Sequence, residues 1–323
     1  MKKILIATTA LVATAGYAAA DINLSGAVAA GFKYADIDTV TVDVDGVPTE
    51  VEAEKLTAHV DYTLTIAMSG ETDGGLTFGA DLTVYGDESS TLNGGDLVAY
   101  IEGGFGKFSA GNVGSAVDAT LGLGDLGFDG LSTDNVAEML VDYNDQGTLM
   151  YKGTFGDFAV AASYNMSVDG TDPNVGEAAN EFSIAATYNM GDYDFGLGYD
   201  ERGDVITVKA GANVSGFDID ALFSKGEMLA GTDVKFAGEV LGTLPADLDV
   251  TAWGLTAGYT MGATTVTAAY SNADFDGAEL DIYGVGVAYD LGGGAQVKGG
   301  VASVGFDGSD RITIADLGIT MSF

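Results

Sequence analysis

From residue 22 to the end, the chain alternates apolar and polar positions with a period of two, interrupted at short intervals by glycine-rich turns. The clearest run puts Ala58, Val60, Tyr62, Leu64, Ile66 and Met68 on one face, with His59, Asp61, Thr63 and Thr65 on the other. Successive side chains of a strand point to opposite sides, so each such run is a strand with one apolar and one wet face. The rhythm predicts sixteen strands, near 22–34, 56–70, 76–84, 95–103, 106–114, 147–154, 157–167, 181–190, 193–201, 204–214, 217–228, 249–261, 264–273, 279–291, 295–304 and 311–323. The turns at 71–74, 104–105, 155–156, 191–192, 215–216, 262–263 and 292–294 are short, and many of the connections between them are longer and acidic. An even strand count with short turns on one side and longer loops on the other is the signature of an outer-membrane barrel. The expected fold is therefore all-β, a sixteen-stranded antiparallel transmembrane β-barrel. A soluble sandwich would alternate too, but the long even run and the scarcity of proline, Pro 3, favour a closed sheet that has no edge to protect.

The outward faces read as a lipid belt. Phe158, Val160, Ala162, Tyr164 and Met166 form one stripe, Phe182, Ile184, Ala186, Tyr188 and Met190 a second, and Trp253, Leu255, Ala257, Tyr259 and Met261 a third. Aromatic residues sit toward the strand ends, where interfacial girdles belong.

The N-terminus adds the route to the membrane. Lys2 and Lys3, the apolar run Ile4 to Ala15 and the small residues Ala18, Ala19 and Ala20 have the layout of a secretory signal peptide cleaved before Asp21. The expected division is a signal peptide over 1–20 and a barrel over 21–323. That apolar run is too short for a comfortable spanning helix. Cys 0 excludes disulfides, thiolate metal sites and thiol nucleophiles. With 48 acids against 12 bases, and a formal net charge of −36, nothing could neutralise a nucleic-acid backbone, so no nucleic-acid partner is expected.

Several segments together resemble one family. They are Ile22-Asn23-Leu24-Ser25-Gly26, the hairpin from Met68 to Ala80, Phe105-Gly106-Lys107-Phe108, Gly262-Ala263-Thr264-Thr265-Val266, Tyr289 to Ala295, and the terminal Phe323. In order and spacing these resemble the general porins of alphaproteobacteria, the Rhodobacter type, over essentially the whole mature chain. The resemblance implies a homotrimer of water-filled diffusion channels, each narrowed by an inward-folded third extracellular loop. It also implies contact with outer-membrane lipid and lipopolysaccharide, and an assembly signal at Phe323 for the barrel-assembly machinery. The constriction loop would fall at about 115–146, the longest break in alternation. It holds Asp118, Asp125, Asp129, Asp134, Glu138, Asp142 and Asp145 and neither Lys nor Arg.

General porins set an arginine cluster opposite that loop, whereas this chain has only Arg202 and Arg311. Strand parity offers Lys33, His59, Lys107, Lys209 and Lys298 as inward cations, beside the inward carboxylates Asp61 and Asp81. The expectation is an acidic eyelet that prefers cations, with crowding raising some carboxyl pKa values. The solutes would be small, hydrophilic molecules and ions. The alternative is a non-conducting barrel for adhesion or envelope anchoring.

Other motifs carry less. Gly122-Leu123-Gly124-Asp125-Leu126-Gly127 matches GxGxxG, but no strand-to-helix context accompanies it and Asp125 would repel phosphate, so it reads as a loop. Residues 41–52 approach a calcium loop, with Asp43, Asp45 and Glu52 as oxygen donors, although Thr41 stands where an Asp belongs. No cofactor is expected beyond weakly held Ca²⁺ in such acidic loops. His59 is the sole histidine, which weakens any hydrolase reading, and no GxSxG elbow is present. The protein is not expected to be an enzyme.

Overall fold

The computed structural model describes residues 21–44, 47–87, 92–128, 130–143, 147–166, 181–230, 233–236 and 239–323. The predicted signal peptide lies outside them. In chain order the elements are β1 (Asp21–Ala35), β2 (Thr39–Val44), β3 (Val47–Glu52), β4 (Leu56–Glu71), β5 (Thr77–Asp87), β6 (Leu92–Gly103) and β7 (Gly106–Gly111). The helices α1 (Thr133–Ala137) and α2 (Met139–Tyr143) come next, then β8 (Leu149–Phe155), β9 (Phe158–Tyr164), β10 (Phe182–Met190), β11 (Tyr193–Asp200), β12 (Val205–Val214) and β13 (Phe217–Met228). The last are β14 (Asp233–Phe236), β15 (Glu239–Thr243), β16 (Leu248–Met261), β17 (Thr264–Phe275), β18 (Ala278–Gly292), β19 (Ala295–Phe306) and β20 (Ile312–Ser322).

Sixteen of these strands close into one antiparallel barrel in which β1 pairs with both β4 and β20. They correspond one for one to the predicted set. The pairs β2–β3 and β14–β15 form separate two-stranded hairpins within long loops, which the sequence reading left as acidic connections. Backbone bonds lock the seam between the first and last strands, Gly26 N to Phe323 O at 3.2 Å and Phe323 N to Gly26 O at 2.9 Å.

The barrel is inverted relative to a soluble protein. Leu24, Phe32, Leu197 and Leu317 are 57–64% exposed on its outer face, an area that only hydrocarbon can cover without cost. Aromatic pairs gather at both ends of the wall. Phe158 with Tyr188 (4.5 Å between centroids) and Phe217 with Tyr259 (4.6 Å) lie toward the short turns, and Trp253 with Tyr270 (5.1 Å) toward the long loops.

The buried core lies inside. β7 stops at Gly111, whose φ of 132° is open to glycine, and the chain then turns into the lumen. Val117, Leu121, Leu126, Val136, Leu140 and Val141 of this loop are 0–2% exposed. They pack on inward residues of the wall: Ala185 and Leu222 in one cluster, Val205 and Val250 in another, Ala252, Ala269, Ala273, Ile282 and Ala302 in a third. The expectation that every strand keeps one wet face is corrected here for part of the wall. From β10 to β19 much of the inner wall is apolar or small, because it seats a loop rather than facing water.

Candidate pore and constriction loop

The loop between β7 and β8 is fastened to the wall by polar contacts as well as apolar ones. Ala116 N donates to Ser163 Oγ at 2.9 Å, and Val117 N to Ser183 Oγ at 3.1 Å. Lys152 Nζ reaches Ala119 O at 3.1 Å, Lys209 Nζ reaches Gly122 O at 2.6 Å, and Phe128 N donates to Asp316 Oδ2 at 2.8 Å. Ser271 Oγ donates to Thr133 O. A loop inside a barrel carries backbone groups that would otherwise be orphaned, and inward hydroxyls and carboxylates of the strands satisfy them.

Glycines make the seat fit. A Cβ on Gly254 would stand 2.6 Å from Ala137 Cβ, and one on Gly318 would stand 2.5 Å from Phe128 Cδ2.

The polar contacts above lie on β8, β9, β10, β12, β17 and β20. Across the lumen stands a wall of different character. On β4 to β7 the register turns inward His59, Asp61, Thr63 and Thr65, then Asp81, Thr83 and Tyr85, then Asp96, Tyr100 and Glu102, then Lys107 and Ser109. Part of the gap between the loop and this wall is a cavity of about 660 Å³, bordered by Ala119 and Thr120 on one side and Thr77, Glu102 and Lys107 on the other. An open gap therefore lies between a docked loop and a hydroxyl- and carboxylate-lined strip. Sequence reasoning missed Asp96, Tyr100 and Glu102. The signal was present, since inward positions of β4 to β7 carry long polar side chains, whereas those of β9 to β13 and β16 to β20 carry mainly Gly, Ala, Ser and aliphatic residues.

The expected site residues fall into distinct places. His59 and Asp61 both face the lumen and share a hydrogen bond of 2.6 Å, and the His59 ring meets Phe128 edge-on at 6.0 Å. Asp81 is inward and half-buried. Lys33 is inward and stands opposite Asp316 in the β1–β20 register, while Lys298 is inward on β19 opposite Gly318. Lys209 is inward, but its ammonium holds Gly122 O and lies 3.5 Å from Asp220. It is a tether of the loop more than a free lining charge.

Within the loop, Asp118 is half-buried and Asp125 exposed. Asp125 Oδ1 also accepts from Leu126 N at 2.6 Å and from Thr133 Oγ1 at 3.0 Å, fixing the turn ahead of α1. Burial pushes the Asp134 carboxyl up to about 7, helped by the charge of Asp125. Asp129 lies outside the described residues. Glu138 is corrected: it is 9% exposed, so it does not line the pore, and it accepts a hydrogen bond from Leu123 N inside the loop. Burial pushes its carboxyl up to about 8, with smaller contributions from Asp134, Asp142 and Asp118. Desolvation, rather than the expected crowding, is the leading cause for both.

The calcium expectation meets a hairpin. Asp43 pairs with Pro48 and Glu52 with Thr39, at opposite ends of the β2–β3 ladder. Asp45 lies outside the described residues.

A closed sixteen-stranded barrel with an apolar exterior and a lumen narrowed by a folded-in loop is a transmembrane channel of the bacterial outer membrane. The family profile of the Gram-negative porins matches residues 7–309, and the chain belongs to that family. It is 31% identical over 284 residues to a porin of Rhodobacter capsulatus, covering 79% of this chain and 90% of that one. It is 28% identical to a porin of Fuscovulum blasticum, with 80% and 89% covered. A solved porin structure superposes with a TM-score of 0.65 at 26% identity, over 94% of this chain and all of the other. A substituted Rh. blastica porin reaches 0.71 at 22% identity, a likeness of fold alone. The protein is an outer-membrane diffusion channel.

Proposed function

We propose that this channel passes small hydrophilic solutes with a preference for cations, and that it does so between two acidic surfaces. The observation that carries this is the β4 to β7 strip, where Asp61, Asp81, Asp96 and Glu102 all face inward, in a barrel whose docked loop itself carries Asp118, Asp125 and Asp134. Carboxylates in a narrow aqueous gap with low-dielectric walls focus the field and enrich cations.

Reversal potentials in a planar bilayer under a KCl gradient test the reading. Asp61→Asn, Asp81→Asn and Asp96→Asn together should move the reversal potential toward zero. An anion-selective wild type, or a triple variant with unaltered selectivity, would refute the acidic strip. The homotrimer implied by the resemblance belongs to the same proposal, as do lipopolysaccharide contact and assembly through Phe323. Current steps arriving in threes would support the trimer.

A further inference from the structure

We infer that the cavity beneath the loop is a binding subsite for the oxyanion group of a small hydroxylated solute, held between Lys107 and Lys152. The inference rests on the channel reading above and adds a ligand class to it. The two lysines are direct register partners on β7 and β8, and both side chains border the cavity. Like charges at opposed positions of a sheet repel, because their Cβ atoms lie only about 4.5–5.5 Å apart.

Their company differs from that of Lys55, although Lys152 feels the charge of Asp118. Acids outnumber bases 48 to 12, and Lys55 lies 2.7 Å from both Asp36 and Asp38. Among the described residues, by contrast, no carboxylate comes within the 4.0 Å of an ion pair to Lys107 or Lys152. Lys152 donates to Ala119 O, and Lys107 lies 3.8 Å from the centroid of the Tyr100 ring. Each ammonium has three N–H donors, so several remain for a ligand.

The rest of the cavity sets the size and kind of solute. Its volume of about 660 Å³ is that of a small-molecule site. Thr120, Thr154 and Thr187 border it and offer hydroxyls to a polyol chain. Glu102, opposite Lys107 in the β6–β7 register, disfavours a second negative group. A carboxylate and a phosphate monoester share the required chemistry. This pair of lysines gives such an anion a place to pause near the short-turn mouth.

Bilayer recordings of the whole barrel in KCl test the subsite, with D-gluconate, a glucose phosphate monoester or uncharged D-glucitol added on the short-turn side. A saturable fall in current is expected with at least one of the anions, and none with glucitol; whichever anion acts identifies the group. Lys107→Gln with Lys152→Gln should weaken the effect roughly tenfold or more, the loss of two charge-assisted hydrogen bonds, while Lys107→Arg with Lys152→Arg should retain it. Steps in KCl alone report that each variant has inserted, and the single Gln variants serve if the double one does not. A wild-type barrel that inserts without steps would defeat the channel reading itself. Steps without a saturable anion effect, or with one that the Gln pair leaves unchanged, would overturn the subsite alone.

Discussion

At Glu138 the demands of packing and of charge meet in one side chain. Its carboxyl is buried between loop segments, holds Leu123 N, and is pushed up to about 8. In an undocked loop it would return to its ordinary value of 4.5. Between those two values the docked loop binds the proton more tightly than the free one, so docking is strongest below the lower value and weakens as pH rises through the upper one. Proteolysis of the loop in the folded barrel should therefore accelerate from about pH 5 to about pH 9, and Glu138→Gln, which keeps the acceptor, should flatten that profile. Asp134, pushed up to about 7, ionises within the same window, so cation preference should rise with pH as well. The sequence pointed to raised carboxyl pKa values in this loop, but not to these two residues nor to burial as the cause. Seven acids in one loop are visible there, but which of them loses its water is decided by Val136, Leu140 and the wall behind them.

The strands were legible as elements because each has one face in lipid, and an apolar residue at every second position is hard to mistake. The loop was legible only as an interruption. Helices of five residues, α1 and α2, are too short for a 3.6-residue period to declare itself. Likewise β2 and β3 carry alternating valines, but charged partners disguised them as an acidic loop. The seat left a fainter trace, in strands such as β10, where Ile184, Ala185 and Ala186 are all apolar although only one face meets lipid. Gly254 lets β16 approach α1, and Gly254→Val should overpack that contact. A loss of about 1–3 kcal/mol is expected, read as a lower urea midpoint for release of the loop, with little change in strand content by circular dichroism.

For the whole molecule, the decisive pairing is between the first strand and the last. β1 (Asp21–Ala35) and β20 (Ile312–Ser322) pair across about 290 residues of sequence, and contacts of such sequence separation form slowly. Phe323 contributes two backbone bonds to this seam and an aromatic ring that is 78% exposed on the barrel exterior. Its deletion should lower the fraction of chain that reaches the heat-modifiable, gel-compact form, with the defect concentrated in assembly rather than in the conductance of barrels that succeed. Equal yields with and without Phe323 would remove it from the assembly step.

The unequal halves of the inner wall also bear on how such a channel can change over generations. Substitutions along β4 to β7 away from His59, which meets Phe128, and Asp96, which holds Asn112, alter what the passage offers a solute with little effect on the docked loop. Those under the loop meet atoms already in contact, and selection would see them first as unstable protein. Adaptation to a new diet of solutes should therefore leave its record on one quarter of the barrel, with the remainder acting as a fixed chassis.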